Sequence, residues 1–234
     1  MNQQSAEETP ASTPTVPPEE SKWTPRDTLP SRFVAPVVHQ LQEQYMHGVP
    51  AARGVLAQLR RVVNAEPGMA WDMSGYLIPP WNSSRTTDEA TRDEIAIHLA
   101  MTSYGLLQQS QSATRMHVEQ RSLGEAARLL AASPSSTLDE GKVWSRLAKL
   151  AQSESITGLQ WQLRGLISLL RGQAIGLDIA RLADDLYFWQ FPSSRPGVQR
   201  RWSRAFFARA PRAASAQSAS DGDNTATSPT SALP

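Results

Sequence analysis

Residues 155–171, SITGLQWQLRGLISLLR, carry the clearest helical pattern in the chain. The large apolar residues of this stretch recur at helical spacing within one stripe about 100° wide, which is what a helix that packs against a core requires. Arg164 and Arg171 lie two helical turns apart, so both side chains project along one flank of the stripe and still reach solvent. We therefore predict a packed helix that presents aligned guanidinium groups. The stripe consists of Ile156, Leu159, Leu163, Leu166, Ile167 and Leu170.

Both ends of the 234-residue chain differ in composition from the part between them. Residues 1–22 are crowded with Pro, Ser, Thr and Glu, and residues 210–234 hold mostly Ala, Ser, Thr, Asp, Asn and Pro. Such segments bury too little apolar surface to offset their conformational entropy. We predict disordered tails at residues 1–28 and 210–234, with the folded part between them.

The net charge of +1 conceals an uneven distribution of charge along the chain. Residues 23–110 hold seven arginines and eight acidic residues, whereas residues 111–209 hold fourteen basic and eight acidic residues. The cationic excess therefore belongs to the C-terminal half. A basic face suits nucleic acid, an anionic protein surface, or solubility alone, and charge does not choose among these three.

The absence of cysteine excludes disulfides, thiolate metal sites and cysteine nucleophiles. The first residues, MNQQSAEE, lack the basic region and apolar run of a secretory signal, and no run of eighteen apolar residues occurs. We expect a soluble cytoplasmic protein that has no contact with membranes.

Helical periodicity recurs along the chain, and no alternating stretch competes with it. Three predicted helices open with the spacing of a capping box, in which a hydroxyl and a carboxylate satisfy each other's backbone N–H groups; these helices start at Thr86, Ser122 and Thr137. The helix from Thr86 has apolar groups on two faces, which predicts a central helix contacted from both sides. The predicted helices span residues 31–46, 50–63, 86–109, 122–133, 137–150, 155–171, 177–190 and 196–206.

The predicted fold class is all-α, with two small helical bundles in one compact chain. We expect an N-terminal helical domain at residues 29–114 and a basic C-terminal helical domain at residues 115–209. Between them, residues 108–120 are polar and helix-poor, which favours a mobile loop or a domain boundary. The irregular stretch 64–85 carries Trp71, Tyr76 and Trp81. Such aromatic residues more often cover a core edge than stack on bases or anchor a partner.

The sequence carries no catalytic constellation. It has no zinc-binding H-E-x-x-H pair, and Glu94 with His98 is more typical of an ordinary helical contact than of half a metal site. The glycine motifs of nucleotide-binding loops and of hydrolase nucleophiles are absent as well. Asp184 and Asp185 are adjacent, so on a helix they diverge by about 100° and cannot act as a paired acid and base. We interpret them as solvated charge and predict a non-enzymatic protein without cofactor or metal.

Basic residues recur on the edges of four predicted helices, and this recurrence is the remaining functional signal. A single exposed arginine usually has no role beyond making the surface of its helix soluble. Arginine can, however, bind two phosphate oxygens through its planar fork without reading any base. The row on the helix from Thr137 has no acidic residue within it. The residues are Arg53, Arg60 and Arg61, then Lys142, Arg146 and Lys149, then Arg164 and Arg171, then Arg200, Arg201 and Arg204.

The order of these elements and several strings resemble the CasB family, the small subunit of the type I-E CRISPR surveillance complex called Cascade. The resemblance spans about residues 30–209, and it rests on the order and spacing of the strings, because each string alone is a common helical motif. The strings are LAQLRRV (56–62), RSLGEAARLLA (121–131), the helix around 143–150, LQWQLRGLISLL (159–170), LDIARLADDLYFW (177–189) and RRWSRAFF (200–207).

The resemblance implies a non-catalytic subunit present in two copies, in contact with the Cascade backbone and large subunits. It would hold the crRNA–target DNA hybrid and the displaced single-stranded DNA of the R-loop through basic residues, in antiviral defence. Arg60 and Arg61 stand in the family's Leu-Arg-Arg string, Arg121 precedes its Ser-Leu-Gly turn, and Arg164 stands in its Gln-Leu-Arg string. The candidate nucleic-acid-binding residues are Arg53, Arg60, Arg61, Arg121, Lys142, Arg146, Arg164, Arg171, Arg200, Arg201 and Arg204.

Two other classes of function compete with this prediction. In a helical adaptor without a nucleic-acid role, the arginines would meet acidic protein surfaces and the Trp-rich stretch would anchor a partner. Such a protein would have little affinity for free DNA and a shallow salt dependence. A hydrolase or nuclease would need clustered carboxylates or histidines, which the sequence does not supply.

Overall fold

The computed structural model describes residues 28–82, 89–136 and 138–208. Within these ranges the chain forms nine α-helices, three short 3-10 turns and a single isolated parallel bridge between His117 and Leu177. The predicted all-α fold class is confirmed. The helices are α1 (Leu29–Met46), α2 (Pro50–Arg61), α3 (Ser74–Leu77), α4 (Arg92–Leu107), α5 (Leu123–Ala132), α6 (Glu140–Ala151), α7 (Ile156–Gly172), α8 (Ile179–Trp189) and α9 (Arg195–Phe207).

The stretch 155–171 forms α7 as predicted. Ser155 caps the helix by accepting a hydrogen bond from the backbone N–H of Gly158 at 3.1 Å. The predicted stripe is the buried face of the helix, with Ile156 at its partly buried end. The fully buried members are Leu159, Leu163, Leu166, Ile167 and Leu170.

Helix α4 is the centre of the molecule. It is contacted by α1, α2, α7 and α8, and every residue from 96 to 107 is buried. The prediction of a central helix with apolar groups on two faces is therefore confirmed. Because α1 and α4 also pack on α8, one hydrophobic cluster extends through both halves of the chain. The division into domains near residue 115 stays a prediction. None of the described helices is long and apolar enough to cross a bilayer.

Of the three predicted helix starts, the one at Ser122 is confirmed. The Ser122 hydroxyl accepts a hydrogen bond from the backbone N–H of Glu125 at 3.2 Å and caps α5. Thr86 and Thr137 lie outside the described residues, and the helices assigned to them begin later in the chain. Thr91, with a reciprocal bond from Glu94, caps α4.

Helix α6 is capped by Asp139, which accepts a hydrogen bond from the backbone N–H of Lys142 at 2.8 Å. Both helices whose start was placed too early therefore have a second capping residue nearer to the buried stripe. The position of the buried stripe determines where the helix begins, and therefore which residue is its N-cap. The spacing of capping residues in the sequence does not reveal that position.

The interpretation of Asp184 and Asp185 as solvated charge is wrong, because both carboxylates are buried on α8. They diverge as predicted, and each holds a different helix. Asp184 accepts hydrogen bonds from the backbone N–H and the hydroxyl of Thr28, which is the N-cap of α1. Asp185 accepts hydrogen bonds from Arg201 and Trp202 of α9. One turn of α8 therefore fixes the positions of α1 and α9.

Residues 108–120 are helix-poor as predicted, but side chains tie their backbone in place. Gln108 Nε2 donates to the carbonyl oxygens of Gln111 and Thr114 at 2.6 and 3.0 Å. Gln42 of α1 exchanges two hydrogen bonds with the backbone of His117, at 2.7 and 3.1 Å. These amide groups satisfy backbone groups that would otherwise require water, and the expectation of a mobile loop or a domain boundary here stays a prediction.

Candidate nucleic-acid interface

Five of the predicted arginines lie on α2, α6 and α7, and we call this set the basic face. It consists of Arg60, Arg61, Arg146, Arg164 and Arg171. Side chains of α7 hold the end of α2 against it: Gln160 Nε2 donates to the carbonyl oxygen of Val63, and Arg164 Nη1 donates to Asn64 Oδ1 at 2.9 Å. On the other side of α7, Arg146 of α6 lines the same shallow groove as Arg164.

Arg60 lies near two other members of the basic face, Arg61 and Arg171. Partial burial lowers the pKa of Arg60, a nearby Tyr45 opposes that effect, and the positive charges of Arg171 and Arg61 lower the pKa further. Arg171 belongs to α7 and Arg60 to α2, so the packing of two distant segments brings their charges close. Such concentrated positive charge attracts anions.

The guanidinium groups of the basic face retain their charge for an external ligand. Arg164 and Arg171 donate to the neutral amide oxygens of Asn64 and Gln109. No ion pair between described residues involves any member of the face. The amides therefore hold Arg164 and Arg171 in place without neutralising them.

Three other predicted residues are engaged in internal bonds. Arg201 pairs with the buried Asp185 at 2.7 Å, so it does not face away from the core. Lys142 pairs with Asp139 at 3.0 Å, which corrects the prediction that its row has no neutralising acid; the acid precedes the row by one helical turn. Arg121 donates to the carbonyl oxygen of Gly176 at 3.3 Å and braces the bridge between residues 117 and 177.

The remaining predicted residues lie apart from the basic face. Arg200 and Arg204 line a groove of about 470 Å³ between α6 and α9, beside Trp144. Arg53 is exposed near the start of α2, two turns before Arg60. The candidate residues therefore divide into the basic face, one groove, residues with internal bonds, and the separate exposed Arg53.

Sequence reasoning missed Asn64 and Gln109 as the partners of the arginines, and it missed the exposure of Trp161. The amides carry no local signal, because each meets an arginine from a distant part of the chain. Trp161 could have been found, since it stands opposite the apolar stripe of α7 on a helical wheel. In the structure Trp161 is 71% exposed.

The aromatic residues of the stretch 64–82 have different roles. Trp81 donates to Asp93 Oδ2 at 2.8 Å and meets the ring of Phe33 edge to face, as predicted for residues that cover a core edge. Trp71 is 78% exposed and Met69 is 59% exposed, so these two do not cover the core.

The part of the chain that the structure describes contains no group of three or more side chains that could hold a metal ion. His98 is fully buried, and burial lowers its pKa to about 4. Its neighbour in the sequence pattern, Glu94, instead bonds to the backbone at the start of α4. The two residues therefore have different surroundings, one at the start of α4 and one in the core.

The helical arrangement and the sequence are both similar to those of known proteins. A profile of the CRISPR-associated protein Cse2 family matches residues 55–207, which is more than half of the chain. The chain belongs to this family. The crystal structure of CasB from Thermobifida fusca resembles this Cse2-family protein with 32% sequence identity and a TM-score of 0.65, and the match covers 77% of this chain and 99% of that chain. The comparison with curated proteins gave no match.

Membership of the Cse2 family indicates a small structural subunit of a CRISPR Cascade complex. All five residues of the basic face lie within the matched span, residues 55–207, whereas Arg53 lies just before that span. The resemblance described from the sequence is therefore confirmed at the level of the family.

Proposed function

We propose that this Cse2-family protein is a non-catalytic subunit that binds nucleic-acid backbone without reading sequence and thereby stabilises the R-loop of a type I-E complex. The observation that carries the proposal is the basic face, in which Arg60 lies near Arg61 and Arg171, Arg146 lines a groove with Arg164, and none of the five forms an ion pair among the described residues. Planar guanidinium groups that are oriented by neutral amides can bind phosphate oxygens in pairs.

The guide RNA pairs with the target strand and thereby replaces a DNA duplex with an RNA–DNA hybrid. The small difference in free energy between the two explains why a few backbone contacts are sufficient to stabilise the R-loop. An RNA–DNA hybrid is about as stable as the DNA duplex that it replaces, so sequence-blind contacts to the backbone can decide whether the open state persists. Base pairing with the guide RNA supplies the specificity. The subunit acts in the cytoplasm beside the backbone and large subunits and a second copy of itself, and it holds the target strand or the displaced strand through its arginines.

The test is binding of the purified full-length chain to an arbitrary labelled single-stranded DNA across a salt series. The double variant R164A/R171A removes two charges from the basic face. It is expected to weaken binding and to reduce the slope of log K against log salt by about 0.7 for each phosphate that the variant no longer binds.

The matched control is R53A/R200A, which removes the same number of charges from exposed positions outside the face. If net charge alone governs binding, the two double variants will behave alike, and the basic face is not the binding surface. In the assembled complex, R164A/R171A is also expected to shorten the lifetime of the R-loop, whereas an unchanged lifetime would contradict the proposed electrostatic role.

The adaptor is the second candidate function, and the exposed Met69 and Trp71 favour it because large exposed apolar side chains often mark protein contacts. An adaptor would not bind the DNA even at low salt. Its R164A/R171A variant would instead weaken assembly with the other subunits.

A further inference from the structure

Trp161 is a large apolar side chain on the solvent side of a helix that otherwise follows its amphipathic pattern. At about 100° per residue it lies opposite the buried stripe of α7. The residue is 71% exposed, whereas Trp189 and Trp202 are almost completely buried. The fold gains little from an indole in this position, so its exposure points to a ligand.

The surroundings of Trp161 form a groove rather than a flat surface. The groove has a volume of about 250 Å³ and lies beside α7, and Arg146 and Arg164 both line it with Trp161. Gly165 stands one turn after Trp161 in this groove, and a Cβ added there would meet nothing within 4 Å. The glycine therefore leaves open space beside the ring.

A groove that is lined by an aromatic ring and two guanidinium groups has the contacts that an unpaired nucleotide requires. The base can stack on the indole face while its flanking phosphates meet the arginines. A base inside a duplex is already stacked on its neighbours and cannot reach such a ring without being unstacked. The groove therefore fits a single strand and disfavours a duplex.

We propose that Trp161 is a stacking platform for one unpaired base of a single-stranded nucleic acid, with Arg146 and Arg164 holding the phosphates on either side. This rests on the proposed function, because it adds a base contact to a surface that binds backbone. It narrows the ligand of the basic face from nucleic acid in general to an unpaired strand.

The test compares an oligothymidylate with the same oligonucleotide made abasic, using the full-length protein and the W161A and W161F variants. The wild-type protein is expected to bind the abasic strand at least about fivefold more weakly, which corresponds to the lower range for one stacked base. W161A is expected to bind both strands alike, and W161F to retain most of the difference. The salt slope of W161A is expected to equal that of the wild type, because no cation is removed.

Gly165 offers a second variant that does not touch the ring. G165L fills the groove from an exposed helical position without entering the core, so it is expected to lower the affinity for the oligothymidylate while the melting temperature is kept or raised. G165A is the control, because one methyl group leaves most of the groove open and favours the helix. W71A controls for the loss of an exposed tryptophan outside the groove.

The outcomes separate the stacking role from the proposed function. If W161A still distinguishes the two strands while R164A/R171A loses affinity, the stacking role is wrong and backbone binding stands. If the wild-type chain binds neither strand, both are wrong. If W161A binds DNA normally but assembles poorly with the other subunits, the groove is a protein contact and the stacking role is overturned.

Discussion

Asp185 is the residue that holds α9 to the rest of the molecule. Its oxygens accept hydrogen bonds from Arg201 Nη2 at 2.7 Å and from Trp202 Nε1 at 2.6 Å, and the residue is 1% exposed. Burial raises its pKa, and the charge and hydrogen bonds of Arg201 together with the Trp202 N–H oppose that effect. Removing Arg201 therefore leaves a buried charge without its counter-ion.

We expect R201A to lower the free energy of unfolding by about 3 kcal/mol at pH 7, because an unpaired buried carboxylate is strongly destabilising. The destabilisation should shrink at lower pH, since Asp185 without Arg201 takes up a proton more readily. Urea unfolding at pH 7 and pH 5 measures both effects. R200A is the matched control and should stay within about 0.5 kcal/mol of wild type. Equal behaviour of the two variants would contradict the anchoring role.

His98 should make stability depend on pH. Burial lowers its pKa in the folded chain to about 4, below its ordinary value of 6.5. The unfolded state therefore binds the proton more tightly, so His98 reduces stability as pH falls below 6.5, and its contribution levels off near pH 4. Between pH 7 and pH 4, we expect the free energy of unfolding of H98F to fall by about 3 kcal/mol less than that of the wild type. Urea unfolding between pH 7 and 4 tests it, and H39Q, at an exposed position, should keep the wild-type profile.

The packing of α5 against α9 depends on Gly124. A Cβ at this position would lie 2.2 Å from the carbonyl oxygen of Trp202 and 3.0 Å from the Cβ of Ala205. The carbonyl oxygen of Trp202 belongs to the backbone and cannot move aside by a side-chain rotation, so α5 and α9 would have to separate. The closeness of this pair explains why α9, with few apolar residues, still buries Trp202 and Phe206.

We expect G124A to lower the free energy of unfolding by at least about 1–3 kcal/mol, as for other overpacked contacts. Gly54, inside α2, provides the control, because an added Cβ there meets nothing within 4 Å. G54A should raise stability by up to about 1 kcal/mol through helix propensity. Thermal unfolding of both variants distinguishes the packing effect from propensity, and a stabilised G124A would show that α5 and α9 are not in close contact.

At the scale of elements, the sequence predicted most helices because their apolar stripes are local patterns. It failed where two signals competed, as at Thr91 and Asp139, whose caps lie nearer to the buried stripes than Thr86 and Thr137 do. It also did not reveal what satisfies the backbone of residues 108–120, since the side chain of Gln42 that does so comes from α1. Hydrogen bonds between distant segments leave no periodic signal.

At the scale of the whole molecule, helix packing determines how the charges are arranged. Arg60 and Arg171 are far apart in sequence, yet they share one electrostatic field. Arg201 lies on the edge of its helix as the pattern indicates, but the buried Asp185 neutralises it. The sequence thus indicated that many arginines lie at helix edges, and it could not distinguish an available guanidinium from one that is already paired.

The all-α fold class, the buried face of α7 and the central position of α4 could be predicted from the sequence, because each depends on local periodicity. The resemblance to CasB could also be found there, because it depends on the order of strings along the chain. The tertiary structure alone decided which arginines form the basic face, how Asp184 and Asp185 hold α1 and α9, and that Trp161 lines a groove with Arg146 and Arg164. These features are contacts between distant segments, and their partners are fixed only when the helices pack.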